Sequence, residues 1–303
     1  MAIDIDKLMR FQIPDREQSY SHRDTMLYAL GVGLGMDNTD LDQVRFVYEE
    51  DLEALPTMAV VLAHPGFWLR DEKSGVDWIR AVHGEQGLKL VRPIPPSGRV
   101  AGVNRLVDVI DKGPGRGVII LSERKVFDVS TGDLLAEVTQ STFCRGEGGL
   151  GLPVREQAPQ MDIPARAPDL KCSFATSPQA AQIYRLSGDV NPLHVNPKVA
   201  EKAGYPRPIL HGLSGFGVAG HALLKMLCGY RPAALGSINC RFVAPVYPGD
   251  TLATEVWRQD GPYLFRVRAV ERDVVVMSNG AANLADGFEP EALSSRTGIE
   301  NAL

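Results

Sequence analysis

The sequence predicts an α+β protein built from two similar halves, and three observations carry that prediction. First, anchors repeat in order along the chain. Tyr28-Ala-Leu recurs as Tyr184-Arg-Leu, 156 residues on, while Pro56 and Pro93 recur as Pro208 and Pro245, both 152 residues on. Three ordered matches with one small change of offset point to an internal duplication. Second, the strand-like runs of the second half are joined by Pro248-Gly249-Asp250, Asp260-Gly261-Pro262 and Arg272-Asp273. Connections of that length make hairpins, so the strands are antiparallel. Third, residues 212–227 are apolar nearly all round, through Leu213, Phe216, Val218, Leu223, Leu224, Met226 and Leu227. A helix apolar on every face is a buried one, and an antiparallel sheet wrapped around it is a stable layer arrangement.

The elements follow in order. In the first half, Tyr28 lies in a helical run, and the apolar stretch 57–63 is cut by His64-Pro65-Gly66. Proline inside a helix costs about 3 kcal/mol, so the central helix of this half is short. An apolar volume is then left for something else to fill, a long ligand tail being one candidate. Residues 146–168 concentrate Gly146, Gly148, Gly149, Gly151, Pro153, Pro159, Pro164 and Pro168. That stretch propagates neither helix nor central strand and reads as a crossover. It divides the chain into an N-terminal domain, residues 1–145, and a C-terminal domain, residues 169–303. In the second domain Ser177 caps a helix that opens on Pro178 and stops at Gly188. Asn196-Pro197 opens a second short helix ending at Gly204, and residues 212–227 form the third. Strands follow over 237–244, 251–257, 263–271 and 274–283.

Composition sets the outer bounds. The chain has 303 residues and a formal net charge of −5, which argues against wholesale nucleic-acid binding. No apolar run reaches the roughly 18–20 residues that span a bilayer, and the first residues lack the apolar stretch of a secretory leader. Cys144, Cys172, Cys228 and Cys240 form no CxxC pair, so four buried thiols in a reducing compartment are expected rather than a metal or redox motif. The C-terminal Asn-Ala-Leu is a poor peroxisomal address. A cytoplasmic location is expected, or a peroxisomal one in a eukaryote.

The densest polar cluster runs from Tyr184 through Gly188, Asp189, Asn191 and Pro192 to His194 and Asn196-Pro197. On a helix, five positions turn two side chains about 140° apart. On a loop bent by glycine and proline, Asp189 and His194 can meet, and an imidazole exchanges protons near neutrality. The structural alternative is an Asx-turn capped by Asp189 with His194 partly exposed. The second cluster is His211-Gly212-Leu-Ser214-Gly215-Phe-Gly217 with Gly220 beyond. Each helical glycine costs roughly 0.5–1 kcal/mol, so four call for a reason. Close approach of another molecule is one reason, since N–H groups at a helix start can hold an oxyanion; tight packing is the other. Ser214 misses the G-x-S-x-G pattern, and Gly31-Val-Gly33-Leu-Gly35 lacks dinucleotide spacing. His22 and His221 read as surface or satisfied core residues, and Lys7, Arg10 and Arg16 as a solvated scatter. His83-Gly84-Glu85-Gln86 is a compact polar group.

YRLSGDVNPLH followed by PILHGLSGFG resembles the hydratase 2 motif of the MaoC-like (R)-specific enoyl-CoA hydratases. The first half is similar to their degenerate partner domain through LYALGVG, FVYE (Phe46–Glu49), VHGEQ (Val82–Gln86) and VDVIDKGPG, and FRVRAVERDVVVMSNG extends the likeness toward the C-terminus. The resemblance covers roughly residues 20–285 and is closest in layout to the hydratase 2 unit of peroxisomal multifunctional enzymes. It implies a double hot-dog fold whose first-half helix is reduced to admit an acyl chain. It implies that Asp189 and His194 hold the nucleophilic water, and that the Gly212 N–H polarises the thioester carbonyl. Tyr184, Asn191, His211, Glu49 and His83 become supporting or substrate-binding residues. The implied reaction hydrates trans-2-enoyl-CoA to (3R)-hydroxyacyl-CoA with no metal and no cofactor, coenzyme A being part of the substrate, in a homodimer. Asn196 departs from the family's usual aspartate but still caps its helix. The CoA phosphates need cations, with Arg207, Arg241 and Lys198 available. Three other readings compete: a thioesterase, for which residues 211–227 lack the needed carboxylate; a dehydratase of carrier-bound chains; and a non-catalytic acyl-CoA-binding protein.

Overall fold

The computed structural model describes residues 3–156 and 161–288. Pro159 of the predicted crossover and the C-terminal Asn-Ala-Leu lie outside the described residues. The first half opens with α1 (Ile5–Arg10), β1 (Arg16–Tyr20), α2 (His22–Gly31) and α3 (Leu41–Val44). Ser21 and Asp24 close a capping box at the start of α2, which satisfies donors that the first helical turn leaves over. Four strands follow: β2 (Ala81–Leu90), β3 (Gly98–Asp111), β4 (Val118–Asp128) and β5 (Leu134–Cys144). The second half repeats the plan with β6 (Leu170–Ala175), α4 (Ala180–Tyr184), α5 (Pro197–Lys202) and α6 (Gly212–Cys228). It closes with β7 (Leu235–Phe242), β8 (Thr251–Trp257), β9 (Tyr263–Ala269) and β10 (Val274–Leu284).

All ten strands join in one antiparallel sheet, in the order β1-β3-β4-β5-β2-β7-β10-β9-β8-β6. Read outward from the centre, each half has the same topology: second strand, fifth, fourth, third, first. The duplication inferred from three anchors is therefore present in the connectivity, and the double hot-dog expectation holds. The two sheets are continuous rather than merely side by side. β2 pairs with β7 at the centre, with Glu85 opposite Arg241 and Leu88 opposite Ile238.

The four strands predicted in the second half are observed, with ends displaced by three residues or fewer. The central helix α6 is buried except at Gly212, Leu213 and Lys225, and Gly229 ends it in the left-handed conformation at φ 54°. In the first half, the chain at the corresponding place makes only short 3-10 turns, Pro56–Val60, Trp68–Arg70 and Glu72–Ser74. Between the first two, Ala63 takes φ 48° and the chain leaves helical geometry before Pro65. The expected shortening is observed, and 3-10 turns of that length are typical of what short segments adopt.

One expectation needs correction. Ser177 does not cap α4 itself: its Oγ accepts from Gln179 N–H at 3.1 Å, and the helix begins one residue later. Proline at 178 supports a turn first. The cysteines are free and buried, as expected.

Three of the four glycines of α6 are closed by protein, not by space for a ligand. A Cβ on Gly217 would lie 2.4 Å from Val32 Cγ1, one on Gly220 2.4 Å from Thr57 Cγ2, and one on Gly215 2.5 Å from Met277 Cε. Val32 and Thr57 belong to the first half, so Gly217 and Gly220 are the small surface against which the halves close. Gly212 alone meets its neighbour, Phe242, at an ordinary 3.5 Å.

Candidate active site

The loop between α4 and α5 is shaped by local hydrogen bonds. Gly188 takes φ 123°, a conformation that side chains rarely adopt. Asp189 Oδ1 then accepts from Asn191 N–H at 3.1 Å, and Asn191 Oδ1 accepts from Leu193 N–H at 3.1 Å. Asn196 Oδ1 takes Lys198 N–H at 3.0 Å, so the departure from aspartate preserves the cap. The Asx-turn reading of Asp189 is thus correct for one carboxylate oxygen. The second oxygen has no hydrogen-bond partner among the described residues.

That loop brings Asp189 to His194. Ligand atoms of Asp189, His194 and His211 all lie within 4.8 Å of one another, and the two imidazoles stack at 3.7 Å. His194 is buried, and its Nδ1 lies 2.9 Å from the Ile209 carbonyl. A carbonyl only accepts, so Nδ1 carries the hydrogen and Nε2 keeps its lone pair. His211 Nε2 likewise donates to the Asp189 backbone carbonyl at 3.2 Å, which leaves His211 Nδ1 buried without a partner. One carboxylate and two imidazoles at this spacing could also bridge a metal ion after a small contraction.

His211 is the N-cap of α6, and no side chain caps that terminus. The first donors to find a partner are the N–H groups of Ser214 and Gly215, both to His211 O. The N–H groups of Gly212 and Leu213 are left over, at the positive end of the helix dipole. The loop from Gly188 to Asn196 and the two leftover helix-start donors therefore share one corner of the fold.

The other named residues divide. Tyr184 is buried with its ring 5.1 Å from His211 and its hydroxyl unpartnered. His83 reaches the site from the first half. A register shift between His83 and Glu85 marks a bulge in β2, and bulges re-aim side chains. The His83 ring meets Phe242 edge-on at 4.8 Å, and the charge of Asp189 is felt there. Glu49 is not brought in. It lies on an exposed turn after α3, and neighbouring Phe46 packs on Tyr230, beyond the C-terminus of α6. That is the end of the helix opposite Gly212, about 25 Å away at 1.5 Å per residue. Arg241 is also spent: its guanidinium makes 2.8 and 2.6 Å bonds to Glu85 across the central strand pair. Lys198 and Arg207 remain exposed.

His64 enters the sequence reading only as part of a helix breaker. It stands within electrostatic reach of Asp189, His83 and Arg124. Next to the loop that carries Asp189 lies a pocket of about 140 Å³, lined by Leu27, Tyr28, Met58, Val61, Leu62 and Gly188 among others.

Burial holds the imidazoles of His83, His194 and His211 below their usual value, His83 down to about 4. Folding thus favours the neutral rings. Their stabilisation is full above pH 6.5, declines as the unfolded chain takes up protons below it, and is gone below the folded values. Each group costs up to about 1.4 kcal/mol per pH unit in that window. The thermal midpoint is expected to fall from about pH 6.5 to about pH 5, and the fall to be shallower in His83→Phe. A midpoint that stays level over that range contradicts the buried neutral rings.

Comparison with known proteins places the chain among relatives over nearly its whole length. Residues 18–146 match the MFE-2 hydratase 2 N-terminal domain, and residues 160–280 match the MaoC like domain. The chain is 38% identical over 278 residues to 3-hydroxyacyl-thioester dehydratase Y of Mycobacterium tuberculosis, covering 88% of this chain and 94% of that protein. It is 33% identical to peroxisomal enoyl-CoA hydratase 2 of Arabidopsis thaliana, covering 90% and 93%. Among solved structures, a MaoC-like dehydratase from Phytophthora capsici superposes with a TM-score of 0.81 at 32% identity, covering 93% of this chain and 99% of that one. Identity sustained over nearly the whole length, with both halves matched by their own family models, makes the chain a member of the MaoC-like hydratase 2 family.

Proposed function

We propose that the protein is a hydro-lyase that reversibly hydrates trans-2-enoyl-CoA to (3R)-hydroxyacyl-CoA. The observation that carries this reading is the meeting of two acceptors, the free Asp189 oxygen and His194 Nε2, beside the unpaired amides at the start of α6. A water between two acceptors donates a hydrogen to each and turns its oxygen lone pair outward. That oxygen bonds to Cβ of the enoyl group, and the electron pair of the double bond moves toward the thioester oxygen. The Gly212 N–H bears the developing charge. A proton from the same water, passed through the pair, ends at Cα. Asp189 and His194 act as one coupled unit in this step. Run backwards, the machinery dehydrates a 3-hydroxyacyl thioester, the direction named in the mycobacterial relative. No electrons change hands, so coenzyme A enters only as part of the substrate.

In this scheme residues 169–303 are catalytic, residues 146–168 connect the halves, and residues 1–145 house the acyl chain. Tyr184, Asn191 and His211 hold the loop, and His83 faces substrate. The pocket lined by Met58, Val61 and Leu62 takes the proximal part of the chain. Lys198 and Arg207 serve the CoA phosphates, in a cytoplasmic homodimer.

Loss of enoyl thioester absorbance with crotonyl- and decenoyl-CoA, followed by chiral analysis, tests the reading. A (3R) product is expected; no loss, or a (3S) product, overturns it. Val61→Phe fills the pocket and is expected to cut kcat/KM for decenoyl-CoA about tenfold more than for crotonyl-CoA, the scale of one or two buried methylenes. Equal loss on both removes the chain from that pocket. Ala63 is a poorer position for the test, since it is buried at φ 48° and a large residue there strains the backbone.

A further inference from the structure

The space left by the curtailed first-half helix is of mixed character, apolar in part, as expected from sequence, and polar in part. By the 152-residue offset, α6 corresponds to residues 60–76, so the loop around His64 to Leu69 runs where a helix would. It borders a pocket of about 60 Å³ against strands β3 to β5, where Arg124, Glu123, Gln140 and His64 stand among Trp68, Leu69 and Val138.

Arg124 sets its character. The residue is 5% exposed, and no carboxylate pairs with it among the described residues. Neighbouring Glu123 pairs instead with Arg105. Arg124 Nη2 donates to Val60 O at 2.6 Å and to Ala59 O at 3.4 Å, the carbonyls that the shortened helix leaves over. Its Nε is buried and has no acceptor. A guanidinium carries five N–H donors, so the fold uses fewer than half of them. The group also stays charged near neutrality, burial lowering it only to about 10. Removing a cation from water without a counter-charge is costly, and the carboxylate that shares the pocket, Glu123, is held by Arg105 instead. His64 both lines this pocket and stands within reach of Asp189 and His83, which places the pocket on the first-half side of the site.

We infer that Arg124 is a specificity-determining residue that makes the enzyme prefer acyl chains ending in a carboxylate over chains ending in a methyl group. A carboxylate accepts two guanidinium hydrogen bonds and neutralises the buried charge; a methyl group does neither. The inference rests on the enoyl-CoA reading above and adds a substrate class to it.

The test uses the full-length protein and two matched series of trans-2-enoyl-CoA esters of increasing length, one with methyl and one with carboxylate ends. The wild type is expected to show a carboxylate-to-methyl ratio of kcat/KM of about ten or more at the length that reaches Arg124, the scale of one charged hydrogen bond. Arg124→Met is expected to bring that ratio to one or below. Arg124→Gln, which keeps donors for Val60 O but not the charge, is expected to lose the preference as well, so the result survives poor folding of the first variant. Equal hydration of both series by the wild type, as a water-filled pocket would give, overturns the inference and leaves the enoyl-CoA reading standing. A preference that persists in both variants also overturns it. Failure to hydrate any ester overturns both.

Discussion

Asp189→Asn is expected to lower kcat for enoyl-CoA hydration by about 10²–10⁴, the usual scale for a positioned acid/base group, with an unchanged thermal midpoint. The two effects separate because the carboxylate does two jobs. One oxygen accepts the Asn191 N–H that shapes the loop, and an asparagine carbonyl replaces it atom for atom. The carboxylate also meets His194, and the amide nitrogen that asparagine puts in place of one oxygen donates where the water needs an acceptor. A water held there would turn a hydrogen outward instead of a lone pair. His194→Gln should fall by a similar factor, and the double variant should be little worse than either single one, because residues acting as a unit are not additive. Near-wild-type turnover in Asp189→Asn would remove the water from between these groups and with it the proposed mechanism.

Gly217→Val is expected to destabilise the fold by about 3 kcal/mol or more, the upper range of overpacking in a filled core. A Cβ at this position lies 2.4 Å from Val32 Cγ1 and 3.0 Å from the Tyr28 hydroxyl. Both neighbours are fully buried, and both belong to the other half, so the clash can be relieved only by parting the halves. Gly215→Ala is the control. Its Cβ would meet the far end of the Met277 side chain, which can swing away, while the helix gains the roughly 0.5–1 kcal/mol that glycine forfeits. Denaturant unfolding should show a large loss for the first variant and little or none for the second. Similar losses in both would mean that Gly217 is not a contact surface between halves.

The legible part of this molecule is local in origin. Pro248-Gly249-Asp250 and Asp260-Gly261-Pro262 announce hairpins because proline and glycine limit the backbone whatever surrounds them. The helix α6 is legible because a segment apolar on every side must be buried, and the loop from Gly188 to Asn196 because its three side-chain caps each act two residues on. Asp189 and His194 were also legible as a pair, although geometry had to show that the Asx-turn and their meeting coexist on the same carboxylate.

What remained hidden spans the two halves. The sequence by itself determined the hairpins, the buried helix, the curtailed helix at Pro65 and the bent loop. Only the tertiary structure decided that His83 and His64 face a loop more than 100 positions away, that Glu85 occupies Arg241, that Glu49 sits at the wrong end of α6, and that Gly217 and Gly220 serve packing. It also decided that the vacated helix track is floored by a buried guanidinium. The physical reason is range: turns and caps are set by neighbours a few bonds away, whereas a charge or a glycine takes its meaning from whatever the closing of the two halves places against it.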